Sequence, residues 1–263
     1  MDTVVSETLY TTGDDINSKL TSVLTDVETN LLSWTNEKSQ IYKVNADSGK
    51  DTEISEELSG YLERLLKIAK DSDGAFDPTI GKLIRLWDIG GENQRIPGED
   101  EIQEVLKDSG YQKISLDGNT IHMDEGCSLD LGAAGKGIGC DLILENLKNQ
   151  KDVTAALMNL GGSSVMTYGS KPDGSSWNVA VTDPRAENDD DYLGVVALNG
   201  TEFLSTSGDY EKYFIEDGVR YHHIMDPSTG YPAKSGVTGV TVVCDTGLEA
   251  DALSTACFVL GVE

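Results

Sequence analysis

Two residues near the C-terminal end, Asp251 and Thr255, stand four apart in Glu249-Ala-Asp-Ala-Leu-Ser-Thr255. On a helix that spacing puts a carboxylate and a hydroxyl on one face. The pair suits a hard cation such as Mg2+, which keeps waters and borrows substrate phosphate oxygens. The plain structural alternative is an i,i+4 hydrogen bond or a cap. A second segment, Asp130-Leu-Gly-Ala-Ala-Gly-Lys-Gly-Ile-Gly-Cys-Asp141, crowds glycines ahead of a helix and carries Lys136. Such a turn lets backbone N–H groups approach a phosphate, and the lysine adds positive charge. It matches neither G-x-G-x-x-G nor a Walker A loop, and tight packing is the competing reading. Asn159-Leu-Gly-Gly-Ser163 places another glycine pair after an apolar run, and Leu204-Ser-Thr-Ser-Gly-Asp-Tyr-Glu211 clusters hydroxyls beside a glycine. Those hydroxyls suit phosphate oxygens or local backbone bonds.

Two of the three histidines are adjacent in Tyr221-His-His-Ile-Met-Asp-Pro-Ser-Thr-Gly230. Neighbours on a strand face opposite sides, so His222 and His223 cannot both serve one site. One is expected to be structural, and the other can act as a base or bond a phosphate near neutral pH. Three histidines and no paired His/Cys spacing argue against zinc, and no Ser-His-Asp or Cys-His signature occurs. The formal net charge of −26 repels phosphate backbones and anionic lipid, which argues against nucleic acid as a partner. It also means that a polyphosphate ligand needs a local cation.

These segments must be held by a scaffold, and the 263 residues, 38% hydrophobic and 25% charged, suffice for a globular core. Apolar spacing predicts a helix over 14–32, capped by Asp14 or Asp15, a second over 55–70 and a third over 98–107. Residues 71–81 break helicity. A hairpin is expected from Lys113–Leu116 and Thr120–Met123, then a Gly-rich loop over 131–139 leading into a helix around 141–147. The second half reads as strands at 155–159, 177–182, 194–198, 203–205, 213–215 and 237–243, closed by a helix over 248–260. Strands and helices mix without a βαβα beat, which favours α+β. Asp189-Asp190-Asp191 reads as a solvated loop. Cys127, Cys140, Cys244 and Cys257 form no C-x-x-C pair and read as buried thiols.

No run of about 18 apolar residues exists, so no membrane-spanning helix is expected. Met1 onward lacks a signal-peptide pattern, and the run at 256–261 stops as though its continuation were missing.

Taken in order, the segments resemble the ApbE family, the FAD:protein FMN transferases. Met1-Asp2-Thr3 is similar to the family's opening M-G-T, and Ser33-Trp34, Ser39-Gln40-Ile41 and Asn45 to its next stretch. Asp73–Thr79, followed by Leu86-Trp87, is similar to D-G-A-F-D-x-T. Asp130–Gly137, Asn159–Gly162, Thr206–Tyr213, His223–Gly230 and Glu249–Ala256 follow the later motifs in sequence. The resemblance covers nearly the whole chain. It implies one domain over 1–263, a T-fold-like α+β architecture with mixed or antiparallel sheets, and the ligand between two αβ halves. It implies FAD as substrate, contacted by Met1, Trp34, Asn45, Asp77, Thr79, Lys136, Gly161, Gly162, Ser207, Gly208, Asp209 and His223. It implies one Mg2+ held by Asp251, Thr255 and the Gly135 carbonyl, where the family commonly has Ala. His223, Lys136 and Asp251 are then the expected catalytic residues, and Trp34 stands where the family has a flavin-stacking Tyr.

The implied reaction cleaves the FAD pyrophosphate, attaches FMN to a Ser or Thr of a partner and releases AMP. The implied partner is a flavin-bearing electron-transfer subunit, and the implied location is outside the cytoplasm, on a lipid-anchored protein. Two rivals stand beside this. An FAD pyrophosphatase uses water in place of the acceptor hydroxyl, and a non-enzymatic module holds FAD intact.

Overall fold

The computed structural model describes residues 3–13, 16–186, 188 and 191–262. The chain opens with strand β1 (Val5–Thr11) and helix α1 (Ile16–Asp26), which widens into a π-helical stretch, Val27–Leu32. Next come α2 (Gln40–Ala46), β2 (Asp51–Glu53), α3 (Glu56–Asp71), α4 (Gly81–Trp87) and α5 (Glu99–Leu106). Hairpin β3 (Ile114–Asp117) and β4 (Thr120–Met123) leads to α6 (Gly132–Lys148), β5 (Val153–Leu160) and β6 (Ser164–Tyr168). The remainder is β7 (Trp177–Thr182), β8 (Tyr192–Leu198), β9 (Phe203–Gly208), β10 (Tyr213–Glu216), β11 (Val219–His222), β12 (Met225–Asp226), β13 (Tyr231–Pro232), β14 (Gly239–Cys244) and α7 (Gly247–Leu260).

The α+β reading holds. Five strands form an antiparallel sheet in the order β1-β5-β6-β9-β14, and β2-β4-β3 form a second antiparallel sheet. Hairpins β7–β8, β10–β11 and β12–β13 stand apart as pairs. Helix α3 forms because Leu58, Leu62 and Leu65 repeat on one face and are fully buried, and because the Ser55 hydroxyl accepts from the Leu58 N–H at 3.1 Å. Each such leucine contributes about 1.5–3 kcal/mol of burial. Among the described residues no helix is long and apolar enough to cross a membrane.

Helix α7 divides the core. Its Leu248, Ala252 and Ala256 face a cluster with Leu58, Leu62 and Ile138, whereas Ala250 faces the cluster of Ile143, Met158 and Phe203 under the large sheet. A helix buried on several faces needs small residues, and α7 meets α6 backbone to backbone. A Cβ on Gly137 would sit 2.0 Å from the Gly247 carbonyl oxygen, and one on Gly247 would sit 2.3 Å from that of Gly137. Only glycine permits this approach.

Several expectations change here. The glycines of 131–139 belong to α6 and do not form a loop: burial against α7 outweighs their poor helix propensity. Strands β1 and β6 and helix α4 were not expected. The capping residues Asp14 and Asp15, and Asp189 and Asp190 of the acidic run, lie outside the described residues. Cys127 and Cys140 are buried, but Cys244 is half-buried and Cys257 is exposed, because its position on α7 faces outward.

Candidate functional site

A cavity of about 820 Å³ opens between α6, α7 and the ends of β6 and β9 on one side, and α4 with the segment after β11 on the other. That volume suits a ligand of cofactor size. Its two ends are chemically unlike.

The first end is polar. Asp251 enters from α7 and is 5% exposed. Its Oδ2 accepts the Gly137 N–H at 2.6 Å, and its Oδ1 accepts the Ser164 hydroxyl at 2.7 Å. Burial pushes this carboxyl above its usual range, while the hydroxyls of Ser205 and Ser164, the Gly137 amide and Lys136 pull it back. Strand alternation explains the neighbours: Phe203, Ser205 and Ser207 share one face of β9, and the two serines reach α7. Ser207 Oγ lies 2.8 Å from Ser254 Oγ and 3.3 Å from Thr255 Oγ1. Lys136 Nζ donates to the Ser163 hydroxyl, where Gly161 and Gly162 turn the chain from β5 to β6 with φ of 68° and 75°. The Gly132 N–H donates to Asp130, the Ala134 N–H to the Leu131 carbonyl and the Gly137 N–H to Asp251. These amides are therefore taken, and Lys136 is the cation that this segment adds to the cavity wall.

The second end is mixed. His223 follows β11 directly, and its N–H and Nδ1 lie 3.0 Å and 3.2 Å from the Lys212 carbonyl. A carbonyl only accepts, so Nδ1 carries the proton and Nε2 keeps its lone pair. Burial pushes the imidazole down to about 4; the Lys212 carbonyl opposes this, and nearby His222, Lys212 and Lys136 reinforce it. His223 is thus neutral at neutral pH. His222 points the other way, buried against Phe258 with Nε2 3.1 Å from the Ala233 carbonyl and Nδ1 without a partner. Trp34 lies at the cavity rim, 43% exposed, with the Arg85 guanidinium 5.1 Å over its ring. Ile80, Ile84, Ile89 and Met225 line the wall nearby.

Of the expected site residues, the cavity wall holds Trp34, Asp77, Gly135, Lys136, Gly161, Ser207, Gly208, His223, Asp251 and Thr255. Met1 lies outside the described residues. Asn45 is turned to structure, bonding both the N–H and the carbonyl of Leu129 at 2.7 and 2.9 Å. Thr79 is 1% exposed, donates to Asp77 at 2.6 Å and accepts from the Gly110 N–H at 2.6 Å. Gly162 serves the turn and is off the wall. Asp209 is gripped by Arg185 at 2.9 and 2.8 Å and does not line the cavity. Asp77 reaches the wall, yet its carboxylate is committed to Thr79 and to the Tyr111 N–H. Ser163 and Ser254 lie within motifs quoted from the sequence but are not among the expected site residues, and Ser164 lies outside those motifs. Ser254 stands three residues after Asp251, one helical turn on, which is the signal that could have found it.

The ApbE family profile matches residues 1–263. The chain belongs to the ApbE family. It is 35% identical over 249 residues to an FAD:protein FMN transferase of Treponema pallidum, covering 89% of this chain and 68% of that one. It is 33% identical over 262 residues to one from Klebsiella pneumoniae, covering 97% and 78%. The fold matches the crystal structure of an ApbE protein from Thermotoga maritima with a TM-score of 0.86 at 36% identity, covering 98% and 82%. It also matches the apo Pseudomonas stutzeri flavinyl transferase ApbE with a TM-score of 0.83 at 30% identity, covering 100% and 86%.

Among the described residues no three His, Cys, Asp or Glu side chains converge as a metal cluster. A Mg2+ site needs no such cluster, since this ion takes one or two carboxylates and completes its shell with water and phosphate oxygens. Asp251, Thr255 and Gly135 all line the cavity, and a carboxylate, a hydroxyl and a main-chain carbonyl are hard oxygen donors. The buried Asp251 carboxyl, raised by desolvation, is a negative charge that a cation would relieve. The residues present fit the ion.

Proposed function

We propose that the protein is a Mg2+-dependent FAD:protein FMN transferase that joins FMN through a phosphoester to a Ser or Thr of an acceptor protein. The observation that carries this is the buried Asp251 carboxylate, pinned between α6 and β6, in a cavity that also holds Lys136 and a neutral His223. FAD enters from the names of the relatives.

In this reading, Asp251, Thr255 and the Gly135 carbonyl hold Mg2+, which supplies charge neutralisation at the pyrophosphate. Lys136 sits beside the phosphates, with the hydroxyls of Ser163, Ser207 and Ser254 around it. Trp34 stacks on the ring system at the rim. The Nε2 lone pair of His223 takes the proton of the acceptor hydroxyl as that oxygen bonds to the FMN phosphorus. The bond from that phosphorus to the AMP oxygen breaks, and AMP leaves. The acceptor is proposed as a flavin-bearing electron-transfer subunit, met outside the cytoplasm by a lipid-anchored form of this protein.

Incubation with FAD and Mg2+, with and without a candidate acceptor, tests the reading. AMP release that requires acceptor, together with an acceptor heavier by one FMN residue in mass spectrometry, is the expected result. Fast AMP release without acceptor would establish an FAD pyrophosphatase instead. No AMP under any metal condition would leave a binding module.

A further inference from the structure

We propose that Asp209 is a positioning residue for His223, acting through the turn that ends at the Lys212 carbonyl. This rests on the reading of His223 as the proton acceptor.

The turn from Gly208 to Lys212 leaves the end of β9 and enters hairpin β10–β11. Its far end is the Lys212 carbonyl, which holds both the His223 N–H and Nδ1. That one oxygen decides which imidazole nitrogen carries the proton. Its near end is Asp209, 8% exposed, whose carboxylate takes a two-pronged bond from Arg185 at 2.9 and 2.8 Å. Arg220, on β11, donates to the Asp209 carbonyl at 3.2 Å and lies 3.5 Å from its Oδ1. The same guanidinium stacks 4.1 Å from the Tyr213 ring, at the start of β10. The strand that delivers His223 is therefore fastened to both ends of the turn that fixes its tautomer. Burial pushes the Asp209 carboxyl up, but the Arg185 fork and the charges of Arg185, Arg220 and His222 outweigh this and hold it below its usual range. The group stays an anion and the fastening stays charged. Without the carboxylate charge, the near end of the turn keeps two main-chain bonds, the Asp209 N–H to the Thr238 carbonyl and Arg220 to the Asp209 carbonyl, each at 3.2 Å, and loses the Arg185 fork.

A mutant cycle with a spectroscopic readout tests this. Asp209→Asn keeps the shape and removes the charge. The expected result is a 10- to 100-fold fall in kcat for FMN transfer, a KM for FAD within about twofold, and no further fall when combined with His223→Ala. The chain has only three histidines. In long-range proton–nitrogen NMR spectra the signal that His223→Ala removes should report an Nδ1–H tautomer in the parent protein and a mixture in Asp209→Asn. Should Asp209→Asn fail to fold, Arg185→Gln replaces it, with Arg185→Lys restoring most of the rate. An equal fall in the His223→Ala background, an unchanged kcat, or an unchanged tautomer overturns the proposal. A His223→Ala enzyme at full rate overturns the proton-acceptor reading itself and this proposal with it, an outcome visible without any Asp209 variant.

Discussion

The two ends of the cavity are built by different means. At the polar end, helices α6 and α7 touch through Gly137 and Gly247, and the Asp251 carboxylate is placed by a backbone amide and a serine. At the His223 end, hairpin β10–β11 is held by side chains. Arg185, Asp209 and Arg220 grip one face, and on the other Phe214 stacks on Tyr221, with Trp87 5.8 Å beyond it. Main-chain contact fixes charge spacing rigidly, which in the proposed reading suits a site for an invariant pyrophosphate. A hairpin held by side chains can be adjusted one residue at a time, which in that reading suits the end where an acceptor protein would dock.

The comparison breaks first at Asp251. Asp251→Asn should lower Mg2+-dependent turnover by about 10³-fold, equivalent to roughly 4 kcal/mol of transition-state stabilisation. The folded pKa of this carboxyl is raised above its unfolded value, so the ionised form costs stability above that folded pKa. The ligand-free variant should therefore melt at the same temperature or higher at pH 7. A calorimetric scan beside a turnover assay checks both, and a clear loss of thermal stability would contradict the charge argument. Gly137→Ala attacks the rigidity of the same end. With the Gly247 oxygen 2.0 Å from the added carbon, the helices must part, at a cost of about 1–3 kcal/mol or more, and Asp251 must leave the Gly137 amide. Both stability and turnover should fall, whereas Gly60→Ala, exposed inside α3 with open space around it, should add about 0.5–1 kcal/mol of stability and leave turnover unchanged.

This difference in construction also explains what was legible in the sequence. The polar end lies within short motifs, so Lys136, Asp251 and Thr255 can be picked out locally, whereas Gly135 comes only from the family resemblance, and the α7 face follows from the 3.6 period. Its helical start could not be, because glycines at 132, 135, 137 and 139 signal a turn until the partner helix is known. At the other sites, partners lie far along the chain. Asn45 meets Leu129 across 84 positions, Thr79 meets Gly110 across 31 and Asp209 meets Arg185 across 24. Each therefore looks like a free polar side chain until folded. Strand β1 was missed for a related reason. Ser6, Glu7 and Thr8 give it no apolar alternation, and its ladder to β5 joins Val5 to Leu160.

The His223 end is sharpened by pH. An imidazole pushed down to about 4 is already a free base above pH 5, so the acid limb of kcat/KM, which reports the free enzyme, should centre near pH 4 rather than near 6.5. The sign for stability follows from the same shift. The folded pKa is below the unfolded one, so the full contribution is present above about 6.5 and is lost as pH falls towards 4. His223→Ala should abolish the limb in the residual rate and blunt the acid loss of stability. A limb that stays near pH 6.5 would mean that burial does not govern the ionisation of this residue.

The smallest expected effect is at Trp34, which belongs to neither construction. It is 43% exposed at the rim and steadied by Arg85, whose own Nη2 is held 2.6 Å from the Ser128 hydroxyl. In the proposed reading its exposed ring is what a flat ring system would stack on. A stacked base contributes about 1–3 kcal/mol, so Trp34→Ala should raise the KM for FAD about 10-fold with kcat within twofold. Trp34→Phe keeps a π-face and should recover most of that loss. A fall in kcat for Trp34→Ala at unchanged KM would place this ring in the reacting geometry, and the rim would then belong with the charged, rigid end rather than apart from it.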